Sequence, residues 1–341
     1  MTTVTDLFNQ AELALAAYSI LPTGITGQSY IDALKDNGRG MADEQATHFA
    51  SKYRVVDQYD APGNGLSATV FEEISTGIKY LIIRGTQPEV GDIITGGLLA
   101  VGFAAKLNPQ FTALKAKLDN DWLADGGPLH NQTFTVTGHS LGGYLAEAVK
   151  EQYSTQVTEA YLFNAPGSGG LVGTIAGLVS DLFNQPSPGA NGIWNIKASE
   201  GASIIAGLGS QSSAGIPIQI EAAPDAGFGN HSIVRLTDAL AVQALYSELA
   251  PSLTQAQLNA LVDAGGNPMN QTLESALDAL RVILLGAGVA PTPVDVADRN
   301  AFYANFYNLM SDARYTGLAG TAQLTVLDNF SANDNCWRMA A

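Results

Sequence analysis

The run Gly138-His139-Ser140-Leu141-Gly142 constrains this chain more than any other feature. Thr133 to Thr137 before it is a short β-rich stretch, and Leu141 to Tyr153 after it carries apolar residues at helical spacing. The spacing predicts a strand that turns sharply into a helix. Glycine at 138 and 142 lets the backbone pass close to its neighbours without a Cβ. A serine at the apex of such a turn presents its hydroxyl above the sheet, and the N–H of Leu141 falls at the helix N-terminus, where unpaired donors and the dipole favour an anion. Ser140 is therefore the candidate nucleophile and Leu141 a candidate oxyanion donor.

A serine needs a neighbouring base. The chain has four histidines. His48 and His130 precede Ser140, and His139 is the variable residue of the motif. The Gly-x-Ser-x-Gly turn resembles that of the α/β-hydrolases, and in their order the acid and then the base follow the nucleophile, which leaves His231, in Gly227-Phe-Gly-Asn-His231-Ser. The acid orients that histidine and stabilises its cation. Glu147 and Glu151 lie on the helix behind the nucleophile, Glu159 starts a strand at the far end, and Asp181 falls in a glycine-rich apolar stretch. Glu200 directly follows the predicted strand Ile193 to Ala198, at the end where such sites form. Asp225, six residues before His231, is its rival.

The rest of the chain fits an α/β reading. Asp6 to Tyr18 and Asp43 to Lys52 have helical spacing, whereas Tyr53 to Tyr59, Leu66 to Ile74 and Ile78 to Ile83 read as strands punctuated by Asn64-Gly65 and Thr76-Gly77. Phe111 to Trp122 returns to helical period. Glu159 to Asn164, Ile193 to Ala198 and Ile216 to Glu221 are further strands. Strands alternating with helices imply a mostly parallel sheet flanked by helices. Beyond Ser232, Ile233 to Leu249, Leu253 to Ala264, Thr272 to Leu285 and Arg299 to Ala313 are expected as helices. Residues 1–245 are expected to form the α/β unit, and 246–341 a helical C-terminal extension or cap.

At Leu81-Ile-Ile-Arg84-Gly85-Thr86 a strand runs into a turn, and here a resemblance becomes visible. With Arg84-Gly85-Thr86, Thr137-Gly-His-Ser-Leu-Gly-Gly143 followed by Leu145-Ala146, Asn164-Ala-Pro166 and the helix ending in Ala16-Ala17-Tyr18, the chain resembles the class 3 lipases, an α/β-hydrolase family of lipases and related phospholipases. The resemblance runs over about residues 6 to 240. It implies an α/β-hydrolase fold and action on lipid esters. It also implies that Thr86 supplies an oxyanion donor opposite Leu141, and that the strand after Asn164-Ala-Pro166 delivers the acid, which favours Glu200. The family usually carries aspartate there. Gln87 to Asn108 and Leu171 to Phe183 are apolar and sit where lids and acyl pockets would form.

Composition narrows the partners. Sixteen Lys and Arg against 32 Asp and Glu give a formal net charge of −16, which repels nucleic acid and makes it a poor partner. The longest apolar stretch, Ile93 to Leu107, is too short and too interrupted to cross a membrane. The single cysteine, Cys336, closes no internal disulfide. No zinc spacing occurs among the histidines and the cysteine, and the expected chemistry needs no cofactor or metal. Met1 to Tyr18 lacks a basic start, so the extracellular location implied by family and composition would need export without a cleaved N-terminal signal; a cytoplasmic location is the alternative. An acyltransferase or peptidase using the same residues, and a catalytically silent hydrolase-like binding module, are the competing functions.

Overall fold

In a computed structural model the described residues are 2–35, 40–85, 109–166, 189–199, 213–221, 229–264, 272–294, 299–321, 323–326 and 337–340. Their centre is a seven-stranded sheet in sequential order: β1 (Tyr53–Asp60), β2 (Ser67–Glu73), β3 (Lys79–Ile83), β4 (Phe134–His139), β5 (Val157–Phe163), β6 (Ile193–Ala198) and β7 (Gly215–Ile218). The first three strands are antiparallel, as their tight Asn-Gly and Thr-Gly turns require, and from β3 onward every pairing is parallel. The β3–β4 register sets Ile83 beside Gly138, and the β4–β5 register sets His139 beside Phe163. The ends of β3, β4 and β5 therefore share one rim.

The period of two along each strand sorts its side chains between two layers. Val70, Leu81, Ile83, Val136 and Leu162 face one buried cluster, made with α4 (residues 109–117) and α5 (Leu141–Gln152). Phe71, Ile82, Tyr161, Phe163 and Ile196 face the other, made with α1 (Val4–Ala16), α3 (Asp43–Lys52) and α6 (Ile233–Leu249). Thr137 points into this second layer, where its hydroxyl donates to Gln10 on α1 at 2.6 Å. A sheet with helices on both faces, whose β4 turns into α5 at a Gly-x-Ser-x-Gly sequence, is the α/β-hydrolase fold.

Helix α1 opens with a reciprocal capping box between Thr3 and Asp6, an arrangement that contributes about 1 kcal/mol. It is buried along most of its length because α6 covers it. Its buried polar residues are met: Gln10 by Thr137, and Glu12 by the Gln45 amide at 3.0 Å. The outer edge of the sheet at β7 is sealed by α7 (Gln255–Ala264), whose Asn259 donates to the carbonyl of Pro217 and accepts from the amide of Gln219. Pairing both backbone groups blunts an edge that would otherwise template aggregation.

The C-terminal helices join the same buried cluster as α1 and α3. Helix α8 (Thr272–Leu285) contributes Leu277 and Leu280, and α9 (Asn300–Met310) contributes Phe302, Tyr303 and Phe306. Phe306 meets Phe8 edge-on, and Tyr307 stacks on His48 with ring centroids 3.7 Å apart. Arg299 binds the buried Asp238 at 2.8 Å and the Gly40 carbonyl at 2.8 Å. The expected boundary at 245 falls inside α6, which continues to Leu249.

Three local expectations differ from the structure, and one helix has no counterpart among them. Arg299 to Ala313 is not one helix, because Asp312 takes an extended conformation and caps α10 (Ala313–Leu318) by accepting the amide of Arg314. Phe111 to Trp122 relaxes into a π-turn over Leu118–Trp122, where the fully buried Trp122 reaches Asp57 at 2.8 Å. Helix α2 (Gly27–Lys35) buries only Tyr30 and Leu34, too few residues for a periodic signal. The last expected strand of the sheet stops at Ile218, since Gln219 bonds Asn259 instead of continuing the ladder. A separate hairpin pairs β8 (Gln323–Val326) with β9 (Trp337–Ala340).

Candidate active site

Ser140 sits between β4 and α5 with φ 57° and ψ −126°. A non-glycine residue with positive φ stores strain, and such strain concentrates at functional sites. Serine at a helix start ordinarily caps it. Ser140 makes no side-chain capping bond, so its unusual backbone withdraws the hydroxyl from the structural role that serine has at this position. Its own amide donates to the Phe163 carbonyl at 2.8 Å, which fixes the turn to the end of β5.

The flanking glycines are demanded by contact. A Cβ on Gly142 would overlap the Ile83 carbonyl oxygen, because the first turn of α5 rides directly over the end of β3. A Cβ on Gly85 would stand 2.6 Å from the His139 carbonyl oxygen, 2.7 Å from the Tyr18 hydroxyl and 3.1 Å from the Ser140 Cβ. Gly85 thus packs directly against the turn that carries the nucleophile. Helix α5 begins at Leu141 with no acidic residue in its first turn, so no carboxylate of its own offsets the positive end of its dipole.

His231 ends a single 3₁₀ turn, Gly229–His231, just before α6. Its carbonyl oxygen is held from two sides: by His139 Nε2 at 2.8 Å and by the Asn164 side-chain amide at 3.3 Å. Asn164, itself at φ 46°, also accepts the Ala198 amide at 2.9 Å and so ties the ends of β5 and β6 together. The imidazoles of His139 and His231 lie 4.9 Å apart between centroids. Burial, reinforced by the neighbouring His139, pushes His231 down from its ordinary 6.5 to about 3. A neutral imidazole is the form that can accept a proton.

The structure thus brings Ser140, Leu141 and the main chain of His231 to one rim. Thr86, Glu200 and Asp225, with the apolar stretches Gln87 to Asn108 and Leu171 to Phe183 and the Cys336 thiol, lie outside the described residues. Ser199, which precedes Glu200, is placed at the C-terminal end of β6, its amide bonded to the Ile218 carbonyl at 2.8 Å. Two residues of the site escaped the sequence reading. His139 has a second hydrogen bond, between Nδ1 and the Tyr18 hydroxyl at 2.7 Å, whereas the sequence marks it only as the variable position of a motif. Tyr18 reads in the sequence as the end of a helix, with no signal that it reaches His139, the neighbour of the nucleophile.

Among the described residues no group of three or more His, Cys, Asp or Glu side chains is placed to hold a metal ion, and no helix is long and apolar enough to cross a membrane. No family model matches the chain, and no curated protein matches it in sequence. Among solved structures it is similar to the Lip2 lipase of Yarrowia lipolytica, at 19% identity over 64% of this chain and 80% of that one, with a TM-score of 0.41. It is also similar to a mutant form of MDLA from Penicillium cyclopium, at 14% identity over 67% of this chain and 86% of that one, TM-score 0.41. A lipase from Rhizopus microsporus var. chinensis is similar at 15% identity over 48% and 58%, TM-score 0.29.

Proposed function

We propose that this protein is a serine carboxylic-ester hydrolase acting on lipid esters, of the triacylglycerol lipase or phospholipase A1 kind. The observation that carries the reading is the backbone of Ser140. It has a positive φ and no side-chain cap bond, and the turn is closed by Gly138 and Gly142, where a Cβ would overlap main-chain atoms.

In this reading the neutral His231 takes the proton of Ser140 as Oγ attacks the ester carbonyl, forming a tetrahedral intermediate. The N–H of Leu141 at the start of α5 and a donor from Thr86 hold the oxyanion. Glu200, the residue after Ser199 at the end of β6, orients His231 and stabilises its cation. His231 then gives the proton to the departing alcohol. Water, deprotonated by the same imidazole, attacks the acyl-enzyme, releases the fatty acid and restores Ser140. No cofactor enters the sequence. The apolar stretches Gln87 to Asn108 and Leu171 to Phe183 serve as the acyl-binding walls and the contact with a lipid surface.

The test is hydrolysis of short and long p-nitrophenyl esters, a triacylglycerol emulsion and a phospholipid dispersion by wild type and by Ser140→Ala. Activity that disappears in the variant supports the reading, and the order of rates names the substrate. Absence of activity in wild type, or activity that survives in Ser140→Ala, overturns it.

A further inference from the structure

The site contains an imidazole that the mechanism above does not use. His139 is buried, 6% exposed, and its ring lies between the Tyr18 hydroxyl and the His231 carbonyl. The chemistry of these partners fixes its protonation. A carbonyl oxygen can only accept, so Nε2, 2.8 Å from it, carries the hydrogen and donates. In a neutral imidazole Nδ1 is then bare, and it accepts the hydrogen of the Tyr18 hydroxyl, 2.7 Å away.

Resting on the serine-hydrolase reading, we propose that His139 is the positioning residue of the catalytic base: held by Tyr18, its Nε2–H clamps the carbonyl of His231 and fixes that residue beside Ser140. His139 is the covalent neighbour of the nucleophile, so one peptide unit and one hydrogen bond join Ser140 to the main chain of its base. The second donor on the same oxygen, Asn164, follows Phe163, whose carbonyl holds the Ser140 amide at 2.8 Å. Nucleophile and base are therefore registered to each other through the ends of β4 and β5, independently of the helix that follows His231. Tyr18 has its own support. Gln58 on β1 accepts the Leu21 amide and donates to the Ser19 carbonyl at 3.0 Å, so the segment that follows Tyr18 is pinned to the sheet on both sides of Ile20.

A clamp of this kind acts on the geometry of proton transfer and touches no substrate. Its loss lowers kcat and leaves KM in place. In His139→Leu we expect kcat to fall on the order of a hundredfold, the usual consequence of a displaced catalytic group. His139→Gln, whose amide nitrogen reaches the Nε2 position, recovers most of that loss. Tyr18→Phe costs roughly tenfold, since it frees the ring without removing the donor. A kcat for His139→Leu within twofold of wild type, or equal losses in the Leu and Gln variants, would overturn the proposal.

A second measurement keeps the clamp separate from the enzymatic reading. In the 15N imidazole spectrum of wild type at neutral pH, His139 should show a protonated Nε2 and a bare Nδ1. The His231 signals should move in His139→Leu and return in His139→Gln. This outcome stands even if wild type hydrolyses no ester, in which case only the reaction assigned to the site falls. A bare Nε2 on His139, or His231 signals indifferent to all three variants, rejects the clamp whatever the activity.

Discussion

The Asn164 side-chain amide nitrogen lies 3.3 Å from the His231 carbonyl oxygen, while its amide oxygen accepts the Ala198 N–H at 2.9 Å. One side chain therefore spans from the end of β6 to the base, using its donor on one side and its acceptor on the other. Asn164→Asp keeps the shape and the acceptor but turns a second oxygen towards a carbonyl oxygen. We expect kcat to fall about tenfold or more, with a cost of about 1–3 kcal/mol to folding for the lost donor and the buried repulsion. Steady-state kinetics with a denaturation curve checks both; wild-type kcat in Asn164→Asp would mean that His231 is held without it.

Ser140→Gly should be more stable than wild type. Glycine adopts φ 57°, ψ −126° without the Cβ strain that serine bears there. The gain is partly offset by the greater freedom of glycine in the unfolded chain, which leaves about 1 kcal/mol. Thermal denaturation of the two proteins decides it. A melting temperature below that of wild type would show that the turn is unstrained.

Burial and His139 hold His231 well below the ordinary imidazole value, at about 3. The base is active when neutral, so the acid limb of kcat/KM should lie below 6.5, lowered by burial and His139 and drawn back only in part by the Glu200 carboxylate proposed to stabilise the cation. The check is a pH–rate profile with a soluble ester held well below its KM, over the pH range in which the protein stays folded. An acid limb at 6.5 or above would show that His231 is charged more readily than its surroundings imply.

Glu12 is buried in the middle of the helical layer, and desolvation pushes it from 4.5 up to about 7 despite the Gln45 amide and the Tyr307 hydroxyl. The folded protein then binds this proton more tightly than the unfolded chain. Stability is full below 4.5 and falls as pH rises towards 7, by at most about 3 kcal/mol. Glu12→Gln keeps the acceptor and removes the charge. Its advantage over wild type should be absent at pH 4 and should grow through this window to its maximum above pH 7. Urea titrations at pH 4, 6 and 8 test the slope; an advantage that is the same at all three would refute it.

Much of this architecture was legible because the relevant signals are local. Ile193 to Ala198, Ile233 to Leu249 and Thr272 to Leu285 fall at their observed limits. The turn at Ser140 is announced by glycines whose necessity is steric and acts within a few residues. What was hidden depends on contacts between distant parts of the chain. Nothing near Tyr18 signals that its hydroxyl meets His139, 121 residues later. Nothing near Asp57 signals that it accepts the Trp122 indole and bends the end of α4. The helices after 250 carried clear periodicity, but periodicity reports a face and not what covers it. Their partners, α1 and α3, appear only in three dimensions.

That arrangement has a consequence for how the chain is made. Helix α1 leaves the ribosome long before its partners, for Phe8 packs on Phe306, Glu12 accepts from Tyr307, and the start of α3 at Asp43 is tied to Asn300. Until Phe306 and Tyr307 have been translated, the apolar face of α1 lacks part of its cover. Closing loops of nearly three hundred residues is also slow. A nascent chain stalled before residue 300 would therefore expose that face and be a natural client for a chaperone.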